Sequence, residues 1–158
     1  MTKQIAILGL VATIYIVMSL AIQPLSFGLL QFRLGEMLLV LPFINKKYSF
    51  SLIIGCLIVN LFSPMGLIDV LFGTTSTVLM CLAIINIKNN WLIPIIAGLL
   101  TGSMIGLELY YVLEIPMPLI YIMLMVGAGE VVTVALGVVV FDLIKKKNAY
   151  FYNLIESI

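Results

Sequence analysis

Long apolar stretches, interrupted only by short polar, proline or glycine breaks, run through the whole of this chain. Of its 158 residues, 63% are hydrophobic and 9% are charged, which is far from the composition of a soluble domain. A helix needs about 20 apolar residues, at about 1.5 Å rise each, to cross a hydrocarbon layer of roughly 30 Å. We therefore predict an all-α membrane protein, a single domain of residues 1–158 with six transmembrane helices. They are expected at about residues 3–22, 33–44, 48–62, 67–87, 91–113 and 117–144.

The lysines predict the orientation, because basic residues beside transmembrane helices favour the cytoplasmic side. Lys3 precedes the first predicted helix, Lys46 and Lys47 join the second to the third, Lys88 joins the fourth to the fifth, and 145–147 follow the sixth. All of them fall on one side if there are six helices, so both termini are expected in the cytoplasm. Five helices with a re-entrant segment would place Lys3 and the triple lysine on opposite faces, and we reject that arrangement for this reason.

The two ends of the chain and its cysteines say less about structure and function than the lysines do. The small residues around Ser19 and Ala21 resemble a signal-peptide cleavage site, but the apolar stretch is long and its basic flank is thin, so we expect this helix to be retained. The tail 148–158 is either a short interfacial helix or a frayed end. Cys56 and Cys81 fall in different apolar helices of a chain without histidine, which favours two core residues and no metal or cofactor.

The acidic residues concentrate in the predicted outer half of the membrane. Glu36, Asp69 and Glu108 lie near the outer ends of three predicted helices, and Glu130 lies near the middle of the sixth. A charge at the bilayer centre costs at least about 2.5 to 3.5 kcal/mol, so such groups normally face the bundle interior and mark a ligand path. Since Arg33 alone cannot pair with all four acids, we predict an outward-opening pocket that includes Asn60. Its aromatic walls would be Tyr110, Tyr111 and Tyr121.

Each feature also has a simpler interpretation. Arg33 and Glu36, three residues apart, could form a salt bridge at a helix start. The tyrosines could form an interfacial belt, and Asp69 could interact with the dipole of its own helix. The ladder of Gly98, Gly102 and Gly106 is typical of close helix packing.

Several function classes are excluded by what the chain lacks. It has no GxxxxGK[ST] motif for nucleotide phosphates, and without histidine it has neither HExxH nor Ser/His/Asp chemistry. Apart from Asp142, an interfacial charge beside the lysine cluster, Asp69 is the one aspartate within the predicted transmembrane helices, whereas an intramembrane aspartyl enzyme needs two. Binding or transport is therefore favoured over catalysis, and no nucleic-acid partner is expected.

Two segments carry a specific resemblance. "SFGLLQFRLGEMLLVLPF", followed by "GCLIVNLFSPMGLIDVLFGTTSTVLMCL", resembles the QueT family, the substrate-binding S components of energy-coupling factor (ECF) transporters for queuosine precursors. The resemblance implies six helices with cytoplasmic termini in a prokaryotic plasma membrane. It also implies a transmembrane coupling subunit and two cytoplasmic ATPases as partners.

The resemblance implies a 7-deazaguanine substrate: preQ1, preQ0 or queuine. Such a base presents an N–H and an exocyclic NH₂ side by side, which a carboxylate can accept as a pair, and preQ1 adds a cation. We expect the two acceptors to be among Glu36, Asp69, Glu108 and Glu130, with Arg33 or Asn60 reaching the carbonyl oxygen.

Two further regions are predicted to be functional. The loop before Arg33 is expected to close over the ligand, with Phe27 and Phe32 excluding water and Gly28 permitting the bend. S components commonly contact the coupling subunit through an Ala-xxx-Ala pattern on the first helix. Gly9 and Thr13 are the nearest equivalent here.

Two alternative functions are retained. The chain could be an S component for another cationic or donor-rich, vitamin-like heterocycle. It could also be a structural subunit of a larger membrane complex whose acids form inter-subunit ion pairs, and this alternative predicts no small-molecule binding by the isolated protein.

Overall fold

The computed structural model describes residues 2–157, and these residues form helices joined by short loops, with no β-strand among them. Two of the helices are 3₁₀ helices, Leu34–Val40 and Asn90–Leu92. The others are α-helices: α1 (Thr2–Ala21), α2 (Gln23–Ser26), α3 (Leu41–Ile44), α4 (Tyr48–Asn60), α5 (Leu67–Ile84), α6 (Ile93–Tyr111), α7 (Leu119–Lys147) and α8 (Ala149–Glu156). The all-α prediction is thus confirmed, and the tail forms a helix up to Glu156.

Within residues 2–157, four stretches are long and apolar enough to cross a membrane: Thr2–Ala21, Leu67–Ile84, Asn90–Tyr111 and Leu119–Lys147. The chain is therefore a multi-pass membrane protein. Two shorter apolar stretches, Leu34–Ile44 and Tyr48–Asn60, lie between the first and second of these.

The second predicted helix differs most from its prediction. Seven residues of the Leu34–Ile44 segment form a 3₁₀ helix, and one α-turn, α3, follows at Pro42. Proline suits the first turn of a helix because its missing N–H has no partner there in any case. At about 2.0 Å rise per 3₁₀ residue, the segment is roughly 20 Å long, which is shorter than the hydrocarbon layer.

Helices α6 and α7 pack most closely, and glycines make the close approach possible. A Cβ placed on Gly102 would lie 2.7 Å from the Met123 carbonyl oxygen, and one on Gly127 would lie 2.7 Å from the Gly98 carbonyl oxygen. The interpretation of the glycine ladder as helix packing is therefore confirmed. Gly129 and Gly137 of α7 likewise have no side chain in the way, so the backbone of Leu30 and Met37 can approach α7 closely.

Three polar contacts place the lysine-bearing segments at one end of the bundle. Asn45 Nδ2 donates to the Glu156 carbonyl oxygen at 3.0 Å, and Tyr48 OH donates to the Ile155 carbonyl oxygen at 3.0 Å. Asn90 Nδ2 donates to Asp142 Oδ1 at 2.8 Å. These bonds hold the loops that carry 46–47 and 88 against the end of the chain that carries 145–147. The prediction that the lysines share one face agrees with this geometry.

Candidate functional site

Arg33 is buried and contacts three other parts of the chain. Its Nη2 lies 3.7 Å from Asp69 Oδ2 of α5, and both side chains are buried. Its Nε donates to the Ser26 carbonyl oxygen at 3.2 Å, and its guanidinium carbon lies 5.0 Å from the centre of the Phe27 ring. The backbone of α2, an aromatic ring of the loop and a carboxylate of α5 therefore all orient the same cation.

Glu36 has a different partner from the one that its spacing suggested. Tyr15 of α1 donates its hydroxyl to Glu36 Oε1, whereas Glu36 Oε2 makes no hydrogen bond to the described residues. The salt bridge between Arg33 and Glu36 was therefore a wrong interpretation. Arg33 precedes the 3₁₀ helix and has an extended backbone, with φ −102° and ψ 109°. Its side chain therefore does not share a helical face with Glu36, as it would at i and i+3 of one continuous helix.

A cavity of about 10 Å³ lies beside Arg33 and Glu36. That is room for about one water molecule. Its polar lining comes from five parts of the chain: the loop before the 3₁₀ helix, the 3₁₀ helix itself, α5, α6 and α7. The residues that supply it are Gln31, Arg33, Glu36, Ser76, Thr77, Thr101 and Glu130. Gly73, Met80 and Ile105 complete the wall.

Several of the polar atoms in this lining have no hydrogen-bond partner among residues 2–157. They are Gln31 Nε2, Arg33 Nη2, Glu36 Oε2, Ser76 Oγ and Glu130 Oε1. A buried polar group without a partner costs about 1 to 3 kcal/mol, and more if it is charged. Donors and acceptors that are left unpaired around one cavity are suited to a polar ligand that would pair with them.

The other predicted site residues lie beside the cavity rather than in its wall. Glu108 is buried and within coulombic range of Asp69 and Arg33, and neither of its carboxyl oxygens has a hydrogen-bond partner. Asn60 packs against Gly73, donates from Nδ2 to Cys56 Sγ at 3.3 Å and leaves Oδ1 unpaired. Three of the six predicted residues, Arg33, Glu36 and Glu130, therefore line the cavity, and the other three, Asn60, Asp69 and Glu108, are buried outside its lining.

The aromatic walls of the predicted pocket were wrong. Tyr110, Tyr111 and Tyr121 are exposed, and none of them lines the cavity. The rings of Tyr110 and Tyr111 pack edge to face with their centres 5.0 Å apart. Exposure of all three rings on a membrane protein favours the interfacial-belt interpretation.

The loop before Arg33, residues 27–32, contributes Gln31 to the cavity wall, but its bend is made differently from the prediction. Gly28 does not have a left-handed backbone; the left-handed residue is Gln31, with φ 46°. Gln31 donates its backbone N–H to the Gly28 carbonyl oxygen at 3.0 Å, and Phe32 donates to that of Leu25 at 3.0 Å. Phe27 and Phe32 are half-buried, and Phe27 packs on the main core. An added Cβ on Gly28 would lie 3.0 Å from the Pro24 carbonyl oxygen. Glycine at this position therefore allows the loop to approach the backbone of α2 closely.

Gly9 and Thr13 lie on an exposed face of α1. Thr13 Oγ1 donates to the Gly9 carbonyl oxygen at 2.9 Å, and a Cβ placed on Gly9 would meet no atom within 4 Å. Among residues 2–157 nothing covers this face at Gly9, and large exposed apolar residues such as Ile5 and Leu10 belong to the same helix.

Sequence reasoning missed two residues of the site. Gln31 is neutral and sits in a loop, so no periodicity or charge marked it, and its left-handed φ depends on the tertiary fold. Tyr15 looked like one more aromatic residue of an apolar helix, yet it is fully buried and bonded to Glu36. Gly73, Ser76 and Thr77, at three- and four-residue spacings along α5, are all buried.

Comparisons with known proteins agree with this architecture. A family model described as QueT transporter matches residues 5–146. A relative named queuosine precursor transporter QueT, from Lactococcus lactis subsp. cremoris (strain MG1363), is 37% identical over 78 residues, which cover 48% of this chain. The match spans 46% of that relative, less than half of its length. No solved structure matches. Because the family model covers nearly the whole chain, this protein belongs to the QueT transporter family.

Proposed function

We propose that this protein is the substrate-binding S component of an ECF-type importer and that it captures a 7-deazaguanine precursor of queuosine from outside the cell. The observation that carries the proposal is the set of unpaired donors and acceptors around one buried cavity in a multi-pass membrane protein. Membership of the QueT family and the printed name of the Lactococcus relative support this choice of substrate.

The chemistry of the cavity fits the edge of the base. Glu36 Oε2 and Glu130 Oε1 are unpaired acceptors in its wall. An N–H and an NH₂ side by side would be received by one of these carboxylates, and the low dielectric of the site would strengthen the bonds. Asp69 and Glu108, which lie near Arg33 but outside the cavity lining, would receive the aminomethyl cation of preQ1. Neutral preQ0 would leave them without that partner.

The size of the cavity implies a conformational change on binding. About 10 Å³ holds roughly one water molecule, which is far less than a bicyclic base occupies. Gln31 and Arg33 are the lining residues outside helices, and both belong to the loop of residues 27–33. We propose that this loop moves away to admit the base and returns over it, with Phe27 and Phe32 excluding water.

The same proposal covers topology and partners. The segments Leu34–Ile44 and Tyr48–Asn60 would complete six crossings of a single membrane domain, with both termini and the lysine-bearing end in the cytoplasm. A membrane coupling subunit and two cytoplasmic ATPases would supply nucleotide hydrolysis. The exposed Gly9 and Thr13 face of α1 would contact the coupling subunit.

Binding of preQ1 by the full chain in lipid nanodiscs tests the proposal directly. Wild-type protein is expected to bind preQ1, and Glu36→Gln and Glu130→Gln each to weaken binding at least about 10-fold, since each removes a charged acceptor. The matched control is Glu114→Gln, because Glu114 is exposed in the loop before α7. A panel of vitamins should not bind. Binding of a vitamin instead of preQ1 would favour another S component, and absence of any ligand would favour a structural subunit.

A further inference from the structure

Gln31 combines four properties that distinguish it from the other residues of its loop. Its side chain is 1% exposed, it lines the cavity, its Nε2 has no hydrogen-bond partner, and its φ of 46° lies in the left-handed region. Residues other than glycine seldom adopt this conformation, and strained backbone of this kind concentrates at ligand sites. In this case the backbone directs a long amide side chain inward from an otherwise partly exposed loop.

The donor inventory of the cavity indicates what this amide could bind. Glu36 and Glu130 provide acceptors, so they suit the N–H groups of a base, but a 6-oxo purine-like edge also presents a carbonyl oxygen that needs a donor. Arg33 Nη2 is a second unpaired donor of the wall, but its guanidinium is held by the Asp69 carboxylate at 3.7 Å, the Ser26 carbonyl oxygen and the Phe27 ring, whereas Gln31 Nε2 has no hydrogen-bond partner among the described residues. Asn60, the other donor expected for this role, does not line the cavity and donates to Cys56.

We propose that Gln31 is the specificity-determining residue that donates a hydrogen bond to the ring carbonyl of the base, so that the site selects 6-oxo over 6-amino heterocycles. This inference rests on the proposed function. A site built to hydrogen-bond one atom of a ligand strongly rejects an analogue that lacks it, because its own buried donor is then left unpaired. Selectivity between the two ligand types is therefore the readout.

The experiment compares two compounds, 7-deazaguanine and its 2,6-diamino counterpart, for binding to the full-length protein in nanodiscs. The variants are Gln31→Gly, which accepts the left-handed φ without strain but has no amide, and Gln31→Glu, which replaces the donor by an acceptor. Gln23→Glu is the matched control, since Gln23 is exposed and lies outside the cavity. Melting temperature with and without ligand reports folding of each variant.

Wild type is expected to prefer 7-deazaguanine. In Gln31→Gly the ratio of the two dissociation constants should fall about 10-fold, and in Gln31→Glu it should fall further or reverse. The diamino compound also lacks the ring N–H, so only the change in the ratio reports on Gln31. An unchanged ratio in both variants would overturn this inference while preserving the function. If wild type binds neither compound, the proposed function itself fails.

Discussion

Arg33 and Asp69 face each other at 3.7 Å between Nη2 and Oδ2, which is close enough for an ion pair but too long for a hydrogen bond. Both atoms lack a hydrogen-bond partner among the described residues, although both are buried. The pair therefore compensates charge and leaves hydrogen-bonding capacity unused. This state is suited to a ligand that inserts polar groups beside it.

Replacing Asp69 by Asn should destabilise the protein strongly. The change leaves the Arg33 guanidinium buried without its counter-charge, and breaking a buried ion pair in this way costs about 3 to 5 kcal/mol. Unfolding in mixed micelles, followed by circular dichroism, measures the effect. Glu114→Gln is the control and should leave the free energy of unfolding nearly unchanged. Equal stability of the two variants would mean that Asp69 does not compensate Arg33.

Replacing Tyr15 by Phe tests the hydrogen bond to Glu36. The substitution removes one hydroxyl from a fully buried position and keeps the shape of the ring. Because hydrogen bonds to charged groups contribute about 1.5 to 3 kcal/mol, a loss of that size is expected in the same unfolding assay. The control is Tyr121→Phe, at an exposed tyrosine. A loss no larger than that of the control would contradict the assignment.

Gly129 should be needed for the loop of residues 27–33 to pack against α7. A Cβ at this position would overlap the Leu30 carbonyl oxygen, so Gly129→Ala should push the loop away from the cavity. We expect ligand binding to weaken about 10-fold or more while the helices remain folded, as measured by preQ1 titration and circular dichroism. Gly9→Ala is the matched control because its added Cβ meets nothing within 4 Å. Normal affinity of Gly129→Ala would show that the loop position does not matter for binding.

Loop movement predicts a ligand-dependent change in accessibility. A cysteine replacing Leu30, which is 50% exposed, should react with a maleimide readily in the free protein and several-fold more slowly with bound preQ1. The native thiols give little background, since Cys56 and Cys81 are buried. Tyr121→Cys, on α7 and outside the loop, should label at the same rate in both states. Identical rates for Leu30→Cys with and without ligand would exclude closure of this loop.

The exposed face of α1 predicts a separation of binding from assembly. Bulky leucines at both Gly9 and Thr13 should prevent co-purification with the coupling subunit, because a face of small residues allows close helix contact. Substrate binding by the isolated chain should remain, since neither residue approaches the cavity. Val132→Phe, on an exposed face of α7, is the control for bulk added toward lipid. Normal assembly of the double variant would place the contact elsewhere.

Composition and spacing were sufficient to predict the helical membrane class, the grouping of the lysines at one end and the burial of the four acids. These properties follow from local hydropathy and from the high cost of placing charge in lipid, and both can be read along the chain. The QueT resemblance of the segments around Arg33 and Asp69 was likewise carried by consecutive residues, and the family model confirmed it.

The pairing of Arg33 with Asp69, the bond from Tyr15 to Glu36 and the inward turn of Gln31 could not be predicted in this way. Each depends on which side chains meet across α1, the loop, the 3₁₀ helix and α5, segments that are separated along the chain. The i, i+3 spacing of Arg33 and Glu36 suggested a local pair because an α-helix was assumed. Arg33 instead precedes the 3₁₀ helix with an extended backbone, and Gly129 and Gly137 of α7 allow the backbone of Leu30 and Met37 to approach closely. The neighbours of Arg33 and Glu36 were therefore decided by packing between segments and not by local spacing.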